Sequence, residues 1–233
     1  MLVDSHSHLF LEEFSGDLPQ VMQRAHDAGV THIFMPNIDS TTIGPLLSVC
    51  NTYKGVCFPM IGLHPTSVNE SYEKELDIVA HQLAPFNEYV AIGEIGLDLY
   101  WDKTFLKEQL IVFEKQIEWA LEYHLPIVVH CREAFEYIYK VLEPYKKSGL
   151  KGIFHSFTGT SEEAEKLLEF PDFMLGINGV VTFKKSQLAD VLKGIPLTRI
   201  VLETDSPYLT PVPNRGKRNE SAYIKAVSYT HLR

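Results

Sequence analysis

The chain has 233 residues, 45% of them hydrophobic and 22% charged, which is enough to bury one large core at a length α/β barrels commonly reach as a single domain. Its formal net charge of −9 argues against broad adhesion to nucleic acid through an electropositive surface, although a local phosphate site stays open. The three cysteines, Cys50, Cys57 and Cys131, are too few and too unpatterned for a disulfide framework or a Cys-rich zinc site, and no basic leader or long apolar span is legible, so a reducing, cytoplasmic setting without a membrane anchor is expected.

The first apolar run, Leu2 to Ser5, leads into His6-Ser7-His8. Side chains at i and i+2 of a strand share a face, and neutral imidazole is a common ligand for divalent cations. Alone, the pair reads better as solvent-facing or ordinary polar residues at a strand end. Leu18-Pro19 opens a helix that Ala28-Gly29 closes, with Val21, Met22 and Ala25 apolar. A second run, His32 to Met35, and a third, Val56 to Ile61, follow, the third ahead of Gly62-Leu63-His64-Pro65. The fourth, Tyr89 to Ile95, carries Glu94, a carboxylate that needs a counter-charge in such apolar company. Leu106 to Tyr123 places Leu110, Phe113, Ile117, Ala120 and Leu121 on one helical face, with Trp119 and Tyr123 packing on or beside it. Ile127 to His130, with Arg132 beyond it, and Gly152 to His155 are the fifth and sixth runs. Ser161-Glu162-Glu163 then starts a helix extending to Phe170, its acidic residues at the positive helix end. The seventh run, Met174 to Ile177, precedes Lys184; the eighth, Arg199 to Glu203, precedes Asp205 and the basic cluster Arg215-Gly216-Lys217-Arg218.

Strand-like runs alternating with amphipathic stretches predict a closed (β/α)₈ TIM barrel forming a single domain over residues 1–233. Active sites of such barrels lie at the C-terminal ends of the strands, where this sequence places His6, His8, Glu94, His130, His155 and Asp205. Taken singly, His130 could be a hydrogen-bonded core histidine and Asp205 a turn cap. Their joint placement points instead to a cation-binding mouth.

The motifs His6-Ser7-His8, Gly93-Glu94-Ile95-Gly96-Leu97-Asp98, His130-Cys131-Arg132, His155-Ser156-Phe157-Thr158-Gly159 and Glu203-Thr204-Asp205-Ser206-Pro207-Tyr208-Leu209 resemble, in order, those of the TatD family of metal-dependent deoxyribonucleases. The resemblance implies two divalent cations, one held by His6, His8 and Asp205, the other by His130 and His155, with Glu94 bridging. It implies hydrolysis of phosphodiester bonds in DNA, as an exonuclease, with the cations activating water and Asp205 and Glu94 as catalytic groups. Asp205 would both ligate a cation and orient or deprotonate the water. Arg132, His64 and Lys184 are candidate substrate contacts at the mouth, and Arg215, Lys217 and Arg218 candidate contacts to the phosphate backbone. Hydrolysis of another ester or amide, such as an aminoacyl-tRNA or a phosphotriester, and a noncatalytic binding barrel are the competing readings. Four histidines favour zinc or manganese, whereas phosphoester sites often accept magnesium. The sequence departs from the family at Ser156, where cysteine is usual, and at Ser221, where proline is usual. The end departs too: Tyr223 to Val227 begin a last helix that Ser228 to Arg233 are expected to stop, so the C-terminal helix is expected to be truncated.

Overall fold

The computed structural model describes residues 1–83 and 88–231. Eight parallel strands follow one another in chain order: β1 (Leu2–Asp4), β2 (Val30–Pro36), β3 (Cys57–Met60), β4 (Ile92–Asp98), β5 (Ile127–Arg132), β6 (Gly152–Phe154), β7 (Phe173–Ile177) and β8 (Ile200–Leu202). They pair as β1-β2-β3 and as β4 through β8. Two seams join the sets. At one, the Ile61 N–H donates to the Ala91 carbonyl at 3.1 Å and the Gly93 N–H to the Ile61 carbonyl at 2.8 Å. At the other, Ser5 N–H reaches the Leu202 carbonyl (3.1 Å), Asp205 N–H the His6 carbonyl (2.9 Å) and His8 N–H the Ser206 carbonyl (2.8 Å). These bonds complete the barrel that the alternating pattern predicts, because a closed ring leaves no unpaired strand edge.

Helices α1 (Leu18–Asp27), α2 (Ile43–Thr52), α3 (Tyr72–Gln82), α4 (Leu106–Glu122), α5 (Phe135–Leu142), α6 (Ser161–Leu167), α7 (Leu188–Leu192) and α8 (Ile224–His231) lie between and after the strands. The sequence reasons for them hold. In α1, Pro19 sits in the first turn, Val21, Met22 and Ala25 are buried, and Gly29 ends the helix at φ +84°, a conformation that suits a residue without Cβ. Thr160 and Glu163 form a reciprocal cap at the start of α6. Trp119 is buried on α4, as expected, whereas Tyr123 is exposed as its C-cap. No helix among the described residues is long and apolar enough to cross a membrane.

Strand ends differ from the predicted ones in ways that matter for the mouth. β4 starts three residues late and runs on to Asp98, buried throughout, so Glu94 lies inside the strand rather than near its end. The extension is held by β5, with Gly96 opposite His130 and Asp98 opposite Arg132. Gly96 sits at φ +135°, and a Cβ there would run into the His130 carbonyl oxygen, so only glycine allows this approach. β6 and β8 stop early, which leaves His155 and Asp205 in the loops just beyond. α8 continues through Ser228 to His231, past the stop expected there; Leu232 and Arg233 lie outside the described residues.

Two glutamines of α4 brace the mouth from behind. Gln116, buried, accepts from the Leu63 N–H (2.7 Å) and donates to the Leu63 carbonyl (3.2 Å). Gln109 does the same with Asp98, at 3.0 and 3.2 Å. Each amide replaces the strand partner that a chain leaving the barrel has lost, and so fixes the segments carrying His64 and Asp98.

Candidate metal centre

The six residues expected from the strand ends converge at the C-terminal mouth of the barrel. His6 Nε2 lies 3.2 Å from His8 Nε2, 3.1 Å from Glu94 Oε2 and 3.7 Å from Asp205 Oδ1. His8 Nε2 lies 3.6 Å from the same Asp205 oxygen and 3.8 Å from Glu94 Oε2. The other carboxylate oxygen, Glu94 Oε1, faces His130 Nδ1 at 2.8 Å, His64 Nε2 at 3.5 Å and His155 Nε2 at 3.7 Å. His155 Nε2 also lies 3.6 Å from Asp205 Oδ1, and its ring stacks on that of His6 with centroids 3.4 Å apart. Asp205 reaches this position at φ +57°, a left-handed conformation that a short polar side chain tolerates better than most.

Electrostatics sharpen the division of roles. Burial works against the charge of Glu94, but His6, His155, His64 and His130 overcome it and hold the carboxyl well below the usual range. Burial likewise opposes ionisation of Asp205, and His155, His8 and His6 hold it low. Burial disfavours a charged His130, yet Asp98 and Glu94 push it up to about 9. His155, also opposed by burial, is pushed up to about 10 by Glu203, Glu94 and Asp205. Burial pushes His6 and His64 down.

These donors fit divalent cations. Two ligands each about 2.1 Å from a tetrahedral cation lie roughly 3.4 Å apart, and His6 Nε2 and His8 Nε2 lie 3.1 to 3.8 Å from each other and from the Glu94 and Asp205 oxygens. His6 Nδ1 and His8 Nδ1 are buried without a hydrogen-bond partner, as they would be if both Nε2 lone pairs were turned toward a shared cation. His130 is oriented differently. Its Nε2 donates to Asp98 Oδ2 at 2.9 Å, which leaves Nδ1 as the atom presented to Glu94.

His64 was expected as a substrate contact, and it stands within the centre itself. Its Nδ1 faces the Thr66 backbone N–H at 3.1 Å and the Thr66 hydroxyl at 2.7 Å, while its Nε2 is aimed at Glu94. With Glu94 and His130 it forms a group whose donor atoms lie close enough together to hold a cation. Arg132 lines the same cleft, which measures about 680 Å³ and is also bounded by Trp101, Thr158, Val180 and Tyr208. The other basic candidates are outside it. Arg218 is engaged by Asp17 in two hydrogen bonds of 2.7 and 2.9 Å and rests on the Phe14 ring, so the cluster Arg215-Gly216-Lys217-Arg218 is not a free patch. Arg215 lies 3.8 Å over the Phe183 ring and donates to the Thr210 carbonyl. Lys184 and Lys217 are exposed beyond the cleft lining.

Sequence reasoning missed the supporting groups. In the sequence Asp98 stands out only as part of a motif, yet its side chain orients His130. Glu203, fully buried, accepts from the Ser156 N–H at 2.7 Å, and its Oε1 also lies 3.0 Å from His155 Nδ1, close enough to favour a charged ring. Asn178 donates to Ser156 Oγ at 2.8 Å, which gives the departing serine a defined partner. A buried acid one strand-period from a ligand, as Glu203 is from Asp205, is the available signal.

The match to a family model described as TatD related DNase runs over residues 3–230. The chain belongs to the TatD family. It is 38% identical to a Bacillus subtilis protein named uncharacterized metal-dependent hydrolase YabD, over 98% of this chain and 89% of that one. It is 32% identical to a Pantoea vagans protein named 3'-5' ssDNA/RNA exonuclease TatD, over 96% of this chain and 87% of that one. The crystal structure of YJJV, a TatD homolog from Escherichia coli, superposes with a TM-score of 0.91 at 28% identity, over 99% of this chain and 89% of that one. This TatD-family chain is a metal-dependent hydrolase, and its mouth carries the donors such chemistry requires.

Proposed function

We propose that the chain hydrolyses phosphodiester bonds, acting on nucleic acid strands from an end. The carrying observation is Glu94, whose two oxygens face different sets of imidazoles at the floor of an open cleft, with Arg132 on its wall. One oxygen serves the set of His6, His8 and Asp205; the other serves His130 and His155. Two divalent cations bound there would supply an activated water and neutralise charge on the phosphoryl oxygens. His6, His8, Glu94, His130, His155 and Asp205 would hold them.

The chain's own groups do the rest. Asp205, ionised and partly open to the cleft, takes the proton of the attacking water at a carboxylate oxygen. His64, on the cleft lining beside Glu94, contacts a phosphoryl oxygen through Nε2. Arg132 neutralises a flanking phosphate, the charge-assisted pairing that guanidinium geometry favours. The Pantoea protein's name, an exonuclease on single-stranded DNA and RNA, supports the choice of substrate class.

The test is product analysis on metal-loaded protein supplied with DNA, RNA and simple esters, alongside a Glu94→Gln variant. Release of mononucleotides, lost in Glu94→Gln while circular dichroism is unchanged, is the expected result. Turnover of simple esters with no nucleotide release would overturn the nucleic-acid assignment.

A further inference from the structure

Two aromatic side chains directly after β4 are exposed where a barrel has no packing reason to leave them so: Tyr100 at 50% and Trp101 at 70%. Trp101 lines the cleft that holds Glu94 and Arg132. Their rings stand nearly perpendicular, 86° apart with centroids 4.9 Å apart, and the Arg132 guanidinium lies 3.9 Å over Tyr100 and 5.4 Å from Trp101. The turn is not loose. Both backbone N–H groups donate to Asp98 Oδ1, at 3.0 and 3.2 Å, while the other oxygen of that carboxylate holds His130. One side chain therefore sets the aromatic pair and a cation ligand in register.

We infer that Trp101, Tyr100 and Arg132 form a stacking shelf for an unpaired nucleobase next to the scissile phosphate. The inference rests on the phosphodiester reading above and deepens it. A preset indole face recognises a flat π-system with little regard to base identity, and the adjacent guanidinium recognises the anionic linkage attached to it. Arg132 has no carboxylate partner among the described residues, so its charge remains available to a phosphate. A base inside a duplex is already stacked on both faces and cannot lie on the shelf unless the end opens. The shelf therefore selects single strands and frayed ends through contact, rather than through net charge, which is repulsive at −9.

The two tryptophans of the chain make the shelf readable, because Trp119 is buried in α4 and only Trp101 can be reached by a base. Metal-loaded full-length protein is mixed in a stopped-flow instrument with a short oligothymidine strand, and indole fluorescence is read before turnover. Affinities for that strand, for the same strand with abasic end residues and for a blunt duplex follow from anisotropy. Expected are quenching by oligothymidine, a roughly tenfold to hundredfold weaker oligothymidine affinity in Trp101→Ala, near-native affinity in Trp101→Phe, and an abasic-strand affinity that Trp101→Ala leaves in place. Absent quenching, equal losses on intact and abasic strands, or equal affinity for strand and duplex would each overturn the shelf. Base-dependent quenching without nucleotide release would uphold the shelf and sink the hydrolase reading instead.

Discussion

Glu94 could not sit in a buried strand as an uncompensated charge, and its surroundings show how the chain resolves this: each oxygen is given its own imidazoles. Asp205 differs, since it also opens to the cleft, and that difference separates bridging from proton transfer. Asp205→Asn keeps the shape and one ligating oxygen but cannot take a proton, so turnover should fall about 10²- to 10⁴-fold while metal content by atomic emission is retained. Both metals bound with full turnover would remove the base role. The imidazoles yield a pH prediction. His130 and His155 lie at about 9 and about 10 without cations, above the ordinary 6.5. Their contribution to the metal-free fold is therefore fully present below pH 6.5 and lost as pH rises through 9 to 10. Cations bind the deprotonated rings, so uptake at pH 7 should release protons and tighten toward pH 10. Calorimetry in buffers of different ionisation heat reads this directly, and uptake at pH 7 with no buffer dependence would contradict it.

At the scale of elements, the extension of β4 to Asp98 is what joins scaffold to chemistry. Gln109 of α4 clasps the Asp98 backbone, and the Asp98 side chain divides its oxygens between His130 and the turn that follows. Asp98→Asn should weaken cation affinity about 10- to 100-fold, because an amide can present an N–H to the imidazole and no longer fixes its tautomer. Affinity unchanged in a competitive chelator titration would show that His130 needs no such partner. The same example marks what could be read beforehand. His6, His8, His130, His155 and Asp205 were legible because each follows an apolar run, and a barrel sends all such ends to one mouth. Asp98, Gln109, Gln116 and Glu203 were not, because their partners are set by register between segments remote in the chain. The basic cluster misled for that reason: Arg218 reads as a free cation until Asp17, 201 positions away, is placed beside it.

For the whole molecule, that pair belongs to a clasp between the first helix and the segment after the last strand. Arg24 of α1 donates from Nε and Nη2 to the two oxygens of Glu220, at 2.8 and 2.7 Å, and from Nη2 to Asp17, which in turn accepts from Arg218. The clasp spans the seam where β8 meets β1, a closure made by only a few backbone bonds. Glu220 is buried, so truncating Arg24 leaves a carboxylate without its partner. For a fully buried pair the loss would be ~3–5 kcal/mol, but the Arg24 side chain is 44% exposed and water can partly replace it. Arg24→Ala should therefore cost about 2 kcal/mol and lower Tm by roughly 4–8 °C. Arg24→Lys should recover only part of this, since an ammonium cannot engage both carboxylate oxygens in the forked geometry. Because the clasp lies outside the cleft lining, cation affinity at temperatures well below Tm should stay near the native value in both variants. A melting temperature unmoved by Arg24→Ala would mean that the backbone bonds of the seam hold the barrel closed without it.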